Sequence, residues 1–214
     1  MRFLDLGMIS FEDALRRQEE AVARIADGKD EEAVFLLEHP HVFTSGRGGD
    51  VKNLLAKTDW EGNPISLVEI NRGGDVTYHG PGQLVGYPQI DLRLRCRDVH
   101  RYLRELEQTL VTTAARFGVR SFRREGLTGV WTDQGKLASI GVGVRRWITM
   151  HGFALNVSTD LRYFQLINPC GMVDCPMVSL SSLLGRRIAM QDVKRAFEEE
   201  FRKNEFLCLR ITDD

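Results

Sequence analysis

Arg72-Gly73-Gly74-Asp75-Val76-Thr77-Tyr78-His79-Gly80-Pro81-Gly82-Gln83 is the stretch around which the rest of the chain is arranged. Glycine is favoured where φ must be positive or where another group approaches the main chain closely. A tight hairpin between two strands would account for the glycines. It would not account for the charged, aromatic and imidazole side chains set among them, and their density favours a substrate cradle. Gly80, Gly82 and Gly86 come one residue off the dinucleotide fingerprint, which requires a helix directly after the turn. Leu84-Val85-Gly86-Tyr87-Pro88-Gln89-Ile90 reads instead as a strand, and no G-x-x-x-x-G-K-[ST] occurs. Both nucleotide readings are excluded.

Working outward, residues 65–70 read as the strand entering the cradle and residues 84–92 as the strand leaving it. Thr44-Ser45-Gly46-Arg47-Gly48-Gly49-Asp50 is a second glycine-rich loop, expected near the first. Ser10-x-x-Asp13 resembles a capping box, followed by apolar positions at helical spacing from Phe11 to Ile25 and a C-terminal Gly28. Residues 33–37 form a buried strand. Asp98 caps a second helix whose stripe runs from Val99 to Phe117, with Gly118 ending it. Residues 126–156 read as a strand meander, 160–166 as a short helix, 191–203 as an amphipathic helix and 206–211 as a final strand. Strands in runs with helices between them indicate an α+β (mixed α/β) fold with a central mixed sheet and flanking helices. Residues 1–214 are expected to form a single domain.

Composition narrows the function. The formal net charge of −1 argues against nucleic acid as a partner. No apolar run approaches the length of a membrane span, and the first residues carry no targeting signal. Four cysteines, Cys96, Cys170, Cys175 and Cys208, are too few and too scattered for a disulfide framework, which points to the cytoplasm. His39 and His41 lack a third ligand nearby, so no metal is expected, and no cofactor is expected either.

Two further stretches carry chemistry. Along a strand through residues 135–144, Lys136, Ala138, Ile140, Val142 and Val144 would face one way and Leu137, Ser139, Gly141 and Gly143 the other. The second face is nearly bare, which lets a ligand or another backbone lie on it. Lys136 shares the apolar face, a costly place for an ammonium without a partner; a lysine snorkelling to water from a turn is the plainer alternative. Cys170, between Pro169 and Gly171 at a chain reversal, reads either as a nucleophile or as an inert thiol.

Residues 72–83, Gly135-Lys136-Leu137-Ala138-Ser139-Ile140-Gly141, His151-Gly152-Phe153-Ala154-Leu155-Asn156 and Asn168-Pro169-Cys170-Gly171 together resemble, in order, the signatures of octanoyltransferases, the lipoyl(octanoyl) transferases of the lipoate-protein ligase B type. The resemblance implies a biotin/lipoyl-ligase-like catalytic domain. It implies transfer of an octanoyl group from octanoyl-acyl carrier protein to a lysine of lipoyl domains, those of 2-oxoacid dehydrogenase complexes and the glycine cleavage H protein, by a monomer. Cys170 then matches the acyl-accepting cysteine and Lys136 its partner. Arg72, Gly73, Gly74, Asp75, Val76, Thr77, Tyr78 and His79, with Ser139, Ile140, Gly141, Gly152, Phe153 and Ala154, match the substrate-contacting segments. Backbone N–H groups around Gly171 are candidates for the oxyanion. Val178-Ser179-Leu180, where a threonine is expected before the serine, and the extra Cys175 depart from the pattern. The rivals are an ATP-dependent lipoate or biotin ligase, a non-catalytic acyl-binding or carrier-binding module, and a cysteine hydrolase using His79 or His151.

Overall fold

Nothing in Ala33-Val34-Phe35-Leu36-Leu37 alternates with polar residues because both faces of this strand are covered. Val34 and Leu36 enter one core, while Ala33, Phe35 and Leu37 enter another on the opposite face. The computed structural model describes residues 1–95, 97–168 and 175–208. Within them lie strands β1 (Arg2–Met8), β2 (Ala33–Glu38), β3 (Val42–Ser45), β4 (Ser66–Glu69), β5 (Val76–His79), β6 (Gln83–Gln89), β7 (Phe122–Arg124), β8 (Leu127–Thr132), β9 (Gly135–Arg145) and β10 (Ile148–Asn156). The helices are α1 (Phe11–Ala26), α2 (Val99–Ala115), α3 (Leu180–Leu184), α4 (Met190–Lys203) and α5 (Glu205–Cys208).

A seven-stranded sheet runs β1-β2-β6-β10-β9-β8-β7. Only its β1–β2 pair is parallel; the remaining pairs are antiparallel, so the sheet is mixed as expected. The apolar stripe of α2, with Val193, Phe197 and Phe201 of α4, packs on one face. On the other face Phe11 and Ala14 of α1 pack against Phe35, Leu37, Val85 and Tyr87. Both helix starts have the caps read from sequence: Ser10 Oγ accepts the Asp13 N–H at 3.1 Å, and Asp98 Oδ1 accepts the Arg101 N–H at 2.9 Å.

A second, three-stranded sheet in the order β4-β3-β5 lies across this face, with β3–β4 parallel and β3–β5 antiparallel. Its outer side is sealed by Phe43 and Tyr78 packed on Tyr163, Phe164 and Ile167. The space between the two sheets is the cavity described below.

Several elements depart from the sequence reading, among them β5, β7 and α3, which it leaves unassigned. Arg2–Met8 forms a strand although its outward positions show no clean alternation. Thr44 and Ser45 belong to β3 rather than to the glycine loop. Residues 206–208 are helical, not a strand, because Asn204 Oδ1 accepts the Leu207 N–H at 3.0 Å and restarts the helix after α4 ends; residues 209–211 lie outside the described residues.

A buried ion pair ties the head of β2 to residues 206 and 207. Arg95, 1% exposed, makes a two-pronged contact with Glu32 at the head of β2. The same guanidinium donates to the carbonyls of Phe206 and Leu207, each at 2.7 Å. No helix among the described residues is long and apolar enough to cross a membrane.

Candidate active site

The bare face of β9 is occupied by another stretch of backbone. Gly73 N–H donates to Val142 O at 2.9 Å, laying residues 71–74 along the strand. A Cβ at Gly141 would sit 2.9 Å from Gly73 O and from Arg72 Cδ, and one at Gly143 would sit 2.7 Å from Asn71 O. Hydrogen at these positions is therefore a condition of the packing. The second glycine loop closes over the first as expected: Arg47 N–H donates to Arg72 O at 3.0 Å and Gly48 N–H to Gly74 O at 3.2 Å. Arg72 is buried, its guanidinium donating to Thr44 O, Thr44 Oγ1 and Gly73 O at 2.9–3.0 Å.

Lys136 does not share the face of Ala138. Val130 pairs with Ala138 but Trp131 pairs with Lys136, so β9 carries one extra residue there. Such a bulge reverses the alternation. Leu137 and Ala138 both turn into the core with α2 and α4, and Lys136 turns to the cavity side. Its Nζ lies 5.1 Å from the Trp131 ring centroid, where the face of an aromatic attracts a cation. The side chain is buried, not snorkelling.

Main-chain bonds at Lys136 hold a second segment. Its N–H donates to Pro176 O at 2.8 Å, and its carbonyl accepts the Val178 N–H at 3.0 Å. At the far flank, Asn168 N–H donates to Asn53 O at 2.7 Å, and Asn53 Nδ2 donates to Asp75. Residues 169–174 between these anchors, Cys170 and Gly171 among them, lie outside the described residues.

Two buried imidazoles, His79 and His151, line the cavity, and His39 packs against His79. Gln83 Nε2 donates to Asn156 Oδ1 and Tyr78 O, so Gln83 Oε1 accepts from His79 Nδ1 at 2.8 Å. That fixes the proton on Nδ1 and leaves Nε2 an acceptor. Burial lowers the His79 pKa to about 3. His39 donates from Nδ1 to Ile9 O at 2.8 Å and accepts the Tyr87 hydroxyl at Nε2; burial lowers its pKa to about 4. His151 has a φ of +56°, its backbone N–H held by Gln18 Oε1 at 2.7 Å, and burial, with Arg72 nearby, lowers its pKa to about 4. All three are neutral at pH 7, and all three are weak bases. Among the described residues no group of three or more His, Cys, Asp or Glu could hold a metal ion.

Arg72, Gly74, Asp75, Val76, Thr77, His79, Lys136, Ser139, Ile140, Gly141, Gly152, Phe153 and Ala154 line one cavity. Its free volume is about 50 Å³. Gly73 is spent on the bond to Val142. Tyr78 faces away, its ring stacked on Tyr163 at 4.9 Å. Phe11, Ile70, Tyr87 and His151 also line the cavity. Phe11 reads in sequence as the first core residue of a helix, and Ile70 and Tyr87 lie just outside the glycine motifs, so only the meeting of elements distant in sequence reveals these three; His151 opens the motif of residues 151–156.

Comparison with known proteins gives the family and the fold. The lipoyl protein ligase A/B catalytic domain family matches residues 10–202. An octanoyltransferase of Geobacter metallireducens is 57% identical over 94% of this chain and 92% of its own length. One from Geotalea uraniireducens is 54% identical over 100% of this chain and 98% of its own. A solved lipoate-protein ligase A bound with ATP superposes with a TM-score of 0.75 at 15% identity, over 100% of this chain and 87% of that one, which establishes the shared fold. The chain is a member of the lipoyl protein ligase A/B catalytic domain family, and within it belongs with the octanoyltransferases.

Proposed function

We propose that this enzyme takes an octanoyl group from octanoyl-acyl carrier protein onto Cys170 and passes it to the target lysine of lipoyl domains, the first step in making protein-bound lipoate. The acceptors are the lipoyl domains of 2-oxoacid dehydrogenase complexes and the glycine cleavage H protein, and the reaction belongs to the cytoplasm. One observation carries the reading. Both described flanks of the segment bearing Cys170 are hydrogen-bonded to the cavity wall, to Lys136 on one side and through Asn53 to Asp75 on the other.

A thiolate, not a thiol, attacks the donor thioester, and an ordinary cysteine near pKa ~8.5 is mostly protonated at neutral pH. An ammonium about 4 Å away contributes ~1 kcal/mol in water but ~4 kcal/mol at an effective dielectric of ~20. The buried setting of Lys136 is the setting in which the larger figure applies. The Cys170 S–C bond forms as the donor's C–S bond breaks, and the carrier thiolate leaves with a proton from Lys136. One thioester replaces another, so no ATP is consumed. In the second half the acceptor amine attacks, neutral Lys136 takes its proton, and Cys170 is released. His79 and His151, weak bases at pKa about 3 and about 4, are poorly suited to drive a hydrolase.

Intact mass after incubation with octanoyl-acyl carrier protein tests the proposal. One octanoyl group is expected on Cys170, labile to hydroxylamine and absent from Cys170→Ala. Label on Cys175, or ATP–pyrophosphate exchange in place of acylation, would overturn it.

A further inference from the structure

A second cleft lies behind the cavity, lined by Leu15, Glu19, Arg47, Glu69, Val144 and Arg145 among others. The two spaces have two lining residues in common, Ile70 and His151. From this shared boundary we infer that Ile70 and His151 form the end wall of the acyl site and set the upper limit on the length of chain the enzyme accepts. The inference rests on the acyl-transfer reading above.

The register of β9 against β10 gauges the distance between the two ends of the site. Lys136 marks the reacting end, and His151 pairs with Val142. Six residues separate Lys136 from Val142, one of them absorbed by the bulge, leaving about 16 Å at ~3.3 Å per residue. An extended eight-carbon chain is roughly 9 Å long and a twelve-carbon chain roughly 14 Å, from a zigzag of ~1.5 Å bonds. The span holds the shorter chain together with the thioester and the side chains at either end. The longer one reaches the wall.

Both wall residues are fixed, and by different means. Ile70 N–H donates to Ser45 O at 2.9 Å, tying it to the small sheet. His151 is 3% exposed and bonded through its backbone to Gln18 on α1, and Tyr87 meets its ring edge to face at 6.2 Å. Its Nδ1 is buried with no hydrogen-bond partner among the described residues, so it presents a neutral imidazole at the end of the site. Beyond the wall the lining changes to paired signs of charge, Glu19 and Glu69 with Arg47 and Arg145. A plain alkyl tail gains little by entering there, so the limit is both a steric stop and a change of solvent.

The wall is tested with octanoyl, decanoyl and dodecanoyl donors, following acyl-enzyme formation by intact mass. Ile70→Ala is expected to raise the dodecanoyl-to-octanoyl rate ratio at least tenfold, and Ile70→Val to raise it less. Adding Val144→Trp, which fills the rear cleft, should cancel the gain of Ile70→Ala. A ratio that moves less than twofold in Ile70→Ala, with octanoyl still accepted, would overturn the wall; Ile70→Val serves the same comparison if the alanine variant is unfolded by circular dichroism. Calorimetric titration with octanoate and dodecanoate repeats the comparison without chemistry. A wild type that takes no acyl group from any donor sinks the transfer reading, while the wall still stands or falls on whether Ile70→Ala gains dodecanoate binding.

Discussion

Lys136 is given two duties, lowering the thiol pKa and taking a proton from the attacking amine, and Lys136→Arg separates them. Arginine keeps the charge but cannot become a neutral base, because its pKa exceeds ~12. Acylation of the enzyme should survive in part, and discharge onto a lipoyl domain should stall by a factor of ~100 or more, the usual scale of general base catalysis. Single-turnover assays following the two halves check this; discharge at the wild-type rate leaves Lys136 an electrostatic partner alone. The identity of this residue was legible in the sequence, its direction was not. The bulge that turns it depends on which residues of β8 and β9 face each other, and that register is a tertiary fact. Tyr78 illustrates the same limit, for alternation along β5 sends Thr77 and His79 to the cavity and Tyr78 to the far side.

At the scale of elements, the cavity depends on residues 71–74 lying flat on β9. Gly141→Ala would force a Cβ to 2.9 Å from Gly73 O, a backbone atom that cannot step aside. Overpacking of this kind costs about 1–3 kcal/mol. Transfer should fall at least tenfold while the far-ultraviolet circular dichroism spectrum is retained; an alanine variant with wild-type turnover would show that the contact is not needed. The bare face was legible from Ser139, Gly141 and Gly143, since missing side chains are visible in any sequence. The strands β3 and β5 were not, because four-residue pieces within glycine-rich loops carry no periodicity to read. The last helix turn was misread because a single asparagine cap outweighs the β-propensity of the residues after it.

For the molecule as a whole, the buried imidazoles make stability depend on pH. His39, His79 and His151 have folded pKa values of about 4, about 3 and about 4, against 6.5 for an exposed histidine. As pH falls through 6.5 the unfolded chain takes up protons at these sites and the folded chain does not. Stability is therefore full above 6.5 and is lost progressively down to about 4. Each histidine contributes a slope of up to ~1.4 kcal/mol per pH unit, so the three together give on the order of 4 kcal/mol per unit near pH 5. Glu107, whose pKa burial raises, works in the opposite sense. Urea midpoints at pH 7, 6 and 5 should fall steeply, and a flat series would contradict the burial of neutral histidines.

The ion pair at Arg95 has a consequence for synthesis on the ribosome. Two of its acceptors, the carbonyls of Phe206 and Leu207, follow it by 111 and 112 residues. At ~5–20 residues per second, translation leaves that guanidinium short of them for roughly 6–22 s after it has been made. A charge buried without its full set of partners is costly, so the head of β2 cannot settle around Arg95 until residues 206 and 207 have emerged. The nascent chain cannot complete its fold before residues 206 and 207 are made, and a fusion that draws them away from Arg95 would hold the finished protein at that same unfinished stage.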